Sequence, residues 1–134
     1  MADYYTQFSV EVPLPVNDTV GQFARDWFKN EEEQYEEFDD ANPFYGFNYS
    51  IDDGGVWIWS DESGDVNSTI NVIQKYLKDH SIDGGIYFSW ANTCSKPRVD
   101  SFSGGECVIT GSEVIYPESV LDVINGNGIK IINH

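Results

Sequence analysis

Alternation opens the chain. Tyr4, Thr6, Phe8, Val10 and Val12 alternate with Tyr5, Gln7, Ser9 and Glu11, which predicts a half-buried strand over residues 4–14, closed by Pro13 and Pro15. The period then changes. Val20, Phe23, Ala24, Trp27 and Phe28 fall at i, i+3, i+4, i+7 and i+8, an apolar helical stripe that Asn17 or Asp18 can cap. Pro43 ends any continuation of that helix. Residues 44–51 and 56–60 read as two strands joined at Asp52-Asp53-Gly54-Gly55, a hairpin turn. Asp65 is placed to cap a second helix with Val66, Ile70, Ile73 and Leu77 on one face. Gly84-Gly85 precedes a strand over 86–90, and 92–105 reads as a loop. Residues 107–110 and 114–116 predict a final strand or hairpin. Pro117 opens a short helix through Ile124, ended by Asn125-Gly126-Asn127-Gly128.

The resulting order is β-α-β-β-α-β followed by a further strand. Two amphipathic helices bury both stripes most simply on one face of a sheet. The pattern therefore predicts one α+β domain over residues 1–134, with a four- or five-stranded, mainly antiparallel sheet and both helices on one side. A ferredoxin-like or closely related arrangement fits that order. With 134 residues, 40% apolar and 15% aromatic, the chain can build one core and is not a disordered polymer. No repeat of solenoid period interrupts it.

Charge changes the picture. Seven Lys and Arg face 23 Asp and Glu, a net of −16. Residues 1–65 hold 16 acids against only Arg25 and Lys29, so the first half alone carries −14. Seven of the ten residues from Glu31 to Asp40 are acidic, interrupted by Gln34, Tyr35 and Phe38. Such a chain is repelled by nucleic acid and by anionic membrane, and attracted to a basic protein surface. No stretch reaches the roughly 20 apolar residues of a spanning helix. The start of the chain has neither the basic nor the apolar region of a secretory signal, so a cytosolic address, in a bacterial host, is the expectation. Cys94 and Cys107 are then expected as reduced thiols. The Asn-x-Ser/Thr triplets at Asn17, Asn48 and Asn67 carry no meaning without export.

Candidate chemistry is sparse. Asp61-Glu62-Ser63-Gly64-Asp65 lacks the acid spacing and distal Glu of a calcium loop. Two Cys and two His match no zinc spacing, and no phosphate-cradling or nucleophile-elbow pattern occurs. No cofactor or metal is therefore expected. Cys94 with His80 and Asp100 can be drawn as a thiol triad, without a spacing that supports it. A buried structural cysteine is the plainer reading. Lys96 and Arg98 form a small basic island suited to the protein's own carboxylates. Val56-Trp57-Ile58-Trp59 puts both tryptophans on one face, as core, as a contact surface or as a stacking platform. Base stacking normally comes with a positive groove, which this chain lacks.

The segments Tyr4-Tyr5-Thr6-Gln7-Phe8-Ser9, Trp57-Ile58-Trp59-Ser60-Asp61, Trp90-Ala91-Asn92-Thr93-Cys94-Ser95-Lys96-Pro97-Arg98-Val99-Asp100 and Gly104-Gly105 resemble a group of small acidic proteins of bacteria and their mobile elements. The resemblance spans residues 4–114 and assigns no residue a role. In size and charge alone, the chain is also similar to phage-encoded acidic inhibitors of restriction or CRISPR machinery.

The acidic run admits two readings. It can be a solvated helix end. Alternatively it imitates a nucleic-acid backbone, which offers one negative charge per about 1.7 Å of duplex axis. Glutamates at a helix C-terminus oppose the macrodipole, and local bases to neutralise them are almost absent, so self-repulsion brings the isolated protein no folding benefit. The sequence thus points to a non-enzymatic inhibitor that occupies the Lys/Arg surface of a basic nucleic-acid-binding protein or complex, without binding nucleic acid or membrane itself. Glu31, Glu32, Glu33, Glu36, Glu37, Asp39 and Asp40 supply the charge, and Tyr35 and Phe38 the apolar anchors. A homodimer is compatible with this reading. The rivals are a small cytosolic enzyme using the loop from Cys94 to Asp100, and a housekeeping interaction module whose acidity serves solubility.

Overall fold

The computed structural model describes residues 4–35, 42–94, 103–116 and 129–133. Its elements run β1 (Tyr4–Val12), α1 (Gln22–Glu33), a 3-10 turn (Pro43–Gly46), β2 (Asn48–Asp52), β3 (Gly55–Ser60), α2 (Val66–Asp79), β4 (Ile86–Cys94), β5 (Ser103–Ile109) and β6 (Val114–Ile115). The strands form one sheet in the order β2-β3-β1-β4-β5-β6, with every neighbouring pair antiparallel. β3 lies between β2 and β1, and β1 lies between β3 and β4. These are the two split βαβ units of the ferredoxin-like order, extended at one edge by β5 and β6. The six strands among the described residues exceed the predicted four or five because 107–116 closes as a true hairpin. At its turn, Thr110 Oγ1 accepts from the backbone N–H groups of Ser112 and Glu113 at 3.3 and 3.0 Å.

The register sorts the two faces. Val10 opposes Ile58 and Val12 opposes Val56, while Phe88 opposes Cys107. These residues, with Phe8, Ile86 and Ile109, form the floor of the core. Both helices lie on this floor. Ala24 and Phe28 come from α1, and Ile70, Ile73, Tyr76 and Leu77 from α2. Phe28 binds the layers together: its ring stacks on Tyr49 at 4.6 Å and tilts against Tyr76 at 5.7 Å. Asp65 caps α2 through Ser68 N–H at 3.1 Å, as its position predicts.

α1 starts later than its pattern predicts. It begins at Gln22, because Gly21 takes a left-handed φ of 77° that glycine adopts freely. Asp18 still serves it, accepting from Ala24 N–H at 3.0 Å from a buried position. The later start leaves Val20 ahead of the helix, and Val20 and Phe23 are both exposed, while Ala24, Trp27 and Phe28 keep the predicted stripe on the core. Residues 44–46, the start of the predicted strand 44–51, belong instead to the 3-10 turn Pro43–Gly46, which Asn42 caps by accepting from Phe44 N–H. β4 and β5 are longer than their apolar cores. Polar Asn92 stays in the strand, bonded to Thr6 Oγ1 at 3.0 Å, and Gly105 stays in β5 because the Trp90 ring occupies the space a Cβ would need. The predicted helix at 117–124 and the turn at 125–128 lie outside the described residues.

Candidate acidic interface

Fifteen acids and five bases fall among the described residues, joined by a single ion pair, Lys75 with Glu31 at 2.6 Å. Eight of the carboxylates serve the fold. Asp18 and Asp65 cap the helices, and Asp52 Oδ1 closes the β2–β3 turn by accepting from Gly54 and Gly55 N–H at 2.7 and 3.1 Å. Asp79 accepts from the Trp27 indole at 2.9 Å, and Asp26 from the Gln22 amide at 3.0 Å. Glu31 holds Lys75, Glu32 accepts from the Tyr49 hydroxyl, and Glu106 from the Tyr87 hydroxyl. The other seven, Glu11, Glu33, Asp53, Asp61, Glu62, Asp83 and Glu113, are exposed and make no side-chain hydrogen bond or ion pair among the described residues.

The predicted acidic site divides along this line. α1 continues through Glu31, Glu32 and Glu33 and closes at Gln34, with no base in its last turn. Glu31 reaches across to α2, where its hydrogen bond and charge raise the pKa of the Lys75 ammonium. Glu32 reaches down to β2, where burial first, then the hydrogen bond and charge of Glu32, raise the pKa of the Tyr49 phenol. The expected shortage of neutralising bases is therefore corrected at Glu31 alone; Glu32 gains a neutral hydrogen-bond donor and keeps its charge uncompensated. Lys75 lies 44 residues from Glu31, so no local pattern announces it. Glu33 remains exposed and unpaired. Tyr35 is half-buried beside Phe44, with ring centroids 6.5 Å apart. Glu36, Glu37, Phe38, Asp39 and Asp40 lie outside the described residues.

The second feature is the sheet face away from the helices. Trp57 opposes Glu11 on β1 and Ser50 on β2, while Trp59 opposes Ser9 and Asn48. The two indoles stack with centroids 4.0 Å apart and planes 19° off parallel, and Trp57 Nε1–H donates to Ser9 Oγ at 2.8 Å. Trp57 nonetheless keeps 47% of its surface in solvent. The tryptophans are therefore not core.

The thiol triad is not assembled. Cys94 pairs with Tyr4 at one end of β1, and the loop 95–102, which includes Lys96, Arg98 and Asp100, lies outside the described residues. His80 shares a hollow with Pro13 and Leu14, just past the other end of β1. A nine-residue strand separates the two ends by about 26 Å. Cys107 is free and buried, and burial pushes its thiol up to about 12, which makes it inert rather than nucleophilic. Among the described residues no three His, Cys, Asp or Glu side chains converge on a common metal position, and no helix is long and apolar enough to cross a membrane.

Searches of protein-family models, curated proteins and solved structures find nothing that matches this chain.

Proposed function

We propose that this protein is an acidic, non-enzymatic binding protein that inhibits a bacterial nucleic-acid-targeting defence complex, of the anti-restriction or anti-CRISPR kind, by occupying its Lys/Arg surface. One observation carries the reading: seven exposed carboxylates among the described residues, Glu33 at the end of α1 being one, make no side-chain hydrogen bond or ion pair there. Caps, turns and cross-strand contacts account for the other acids. The unused ones add self-repulsion, which a basic partner relieves. The contact is centred on the end of α1, where Glu33 leads into Glu36, Glu37, Asp39 and Asp40, with Tyr35 and Phe38 as apolar anchors. Glu31 and Glu32 add to the field there while staying tied to Lys75 and Tyr49. Charge of this kind steers encounter, and the aromatic anchors lengthen residence.

Affinity capture from bacterial lysate tests the reading. The full-length protein and a Glu33→Gln, Glu36→Gln, Glu37→Gln variant serve as baits, with elution by duplex DNA. Nucleases or other nucleic-acid-binding subunits, released by DNA and depleted on the variant, are the expected result. Equal capture on both baits, or retention in the presence of DNA, contradicts it.

A further inference from the structure

The sheet carries no positive charge. No Lys, Arg or His occurs in any of its six strands, and its charged side chains are Glu11, Asp52 and Glu106. Asp52 and Glu106 are engaged with the hairpin turn and with Tyr87. Glu11 is not engaged. It stands opposite half-exposed Trp57, and its side chain leans over the hairpin turn, with Oε1 3.1 Å from where a Gly55 Cβ would stand. The glycines at 54 and 55 leave the room this carboxylate uses. Beyond it, Glu11 lines a shallow hollow with Pro13, Gly54, Ile132 and Asn133.

An exposed indole face and an unpaired carboxylate on adjacent strands are complementary to one common side chain. A guanidinium is flat, so it can lie on the indole, and its fork of N–H donors suits a carboxylate. Lysine offers the charge without the plane. The Ser9 hydrogen bond and the stack on Trp59 hold the Trp57 ring in place, so little side-chain freedom is lost on binding. We propose that Trp57 and Glu11 form a receptor for an arginine side chain of a partner protein. This goes beyond the acidic end of α1: it involves a different surface and does not depend on which protein carries the arginine.

The test uses the full chain and a Gly-Arg-Gly-Arg-Gly peptide, with counterparts in which lysine or citrulline replaces arginine. Binding is followed by the indole N–H resonances, that of Trp57 being assigned by its loss in Trp57→Phe. The arginine peptide should shift the Trp57 resonance, the lysine peptide should bind several-fold more weakly, and the neutral citrulline peptide should leave the resonance in place. Glu11→Gln, followed at the Trp57 resonance, and Trp57→Phe, followed at the resonance of its stacking neighbour Trp59, should each weaken arginine binding by about five- to tenfold. Glu113→Gln, an exposed carboxylate at the β5–β6 turn, should leave it unchanged, and because the capture experiment alters only the end of α1, the two results can fail separately. Unaltered thermal unfolding of Glu11→Gln confirms that the isosteric variant is folded. No arginine binding, equal affinity of wild type and Glu11→Gln, equal binding of citrulline, or a Trp57 shift produced instead by an oligosaccharide or an oligonucleotide overturns the proposal.

Discussion

Lys75 Nζ lies 2.6 Å from Glu31 Oε2 and ties the acidic end of α1 to the middle of α2. The lysine side chain is 49% exposed and that of Glu31 13%, so solvent screens the pair from the lysine side, and glutamine at 31 can still accept the lysine's hydrogen bond. Glu31→Gln should therefore cost less than about 1 kcal/mol in urea unfolding. A loss well above that would show a desolvated pair on which the helix packing depends. A small loss means that charge at this end of α1 can be altered in binding experiments without unfolding the protein.

Tyr76 presents the opposite case. Its ring is buried between the helices and the sheet, and its hydroxyl is buried without a hydrogen-bond partner among the described residues. Deleting an unsatisfied hydroxyl while keeping the ring removes a desolvation cost. Tyr76→Phe should raise stability by about 1 kcal/mol. Thermal and urea unfolding check this, and a clear loss would show that the hydroxyl has a bonding partner.

Alkaline pH should destabilise the fold, with a contribution from Cys107. The thiol's ordinary pKa is 9.0, and burial moves it to about 12 in the folded protein. Between these values the unfolded chain releases a proton that the folded chain keeps, so stability is complete below pH 9 and falls as pH rises toward 12. One such group contributes at most about 1.4 kcal/mol per pH unit. Tyr49 and Tyr76, also raised, steepen the fall above their ordinary value of 10.0. Cys107→Ala should make the pH dependence shallower by one proton in this window. An unchanged slope in the variant would contradict the assignment.

Much of the architecture is legible in the residues, and its departures have local causes. The alternation from Tyr4 to Val12 and the Asp65 cap lead directly to β1 and α2. The Asp-Gly turn likewise yields the β2–β3 hairpin, with Asp52 closing it. The start of α1 is not legible, because Asp18 caps the helix from a distance across left-handed Gly21. The length of β4 is hidden too, since Asn92 is held in the ladder by Thr6, a partner 86 residues away. The same limit applies to the acidic run. Its composition is visible in the sequence, but the partners of Glu31 and Glu32 come from α2 and β2, which only folding brings near. The Trp57–Glu11 pair needs the β1–β3 register, which no single segment encodes.

The acidic end of α1 is proposed to meet a basic partner surface. The most direct measurement of that contact is the affinity of a captured partner for the wild type and for the Glu33→Gln, Glu36→Gln, Glu37→Gln variant. Each is titrated from 0.1 M to 1 M salt, with and without duplex DNA. Screening shortens the Debye length from about 10 Å to about 3 Å over that range. Binding should weaken steeply with salt, mostly through slower association, fall further in the variant, and exclude DNA. Affinity that is indifferent to salt and to the three substitutions, or simultaneous binding of DNA and this protein at one surface, would contradict it.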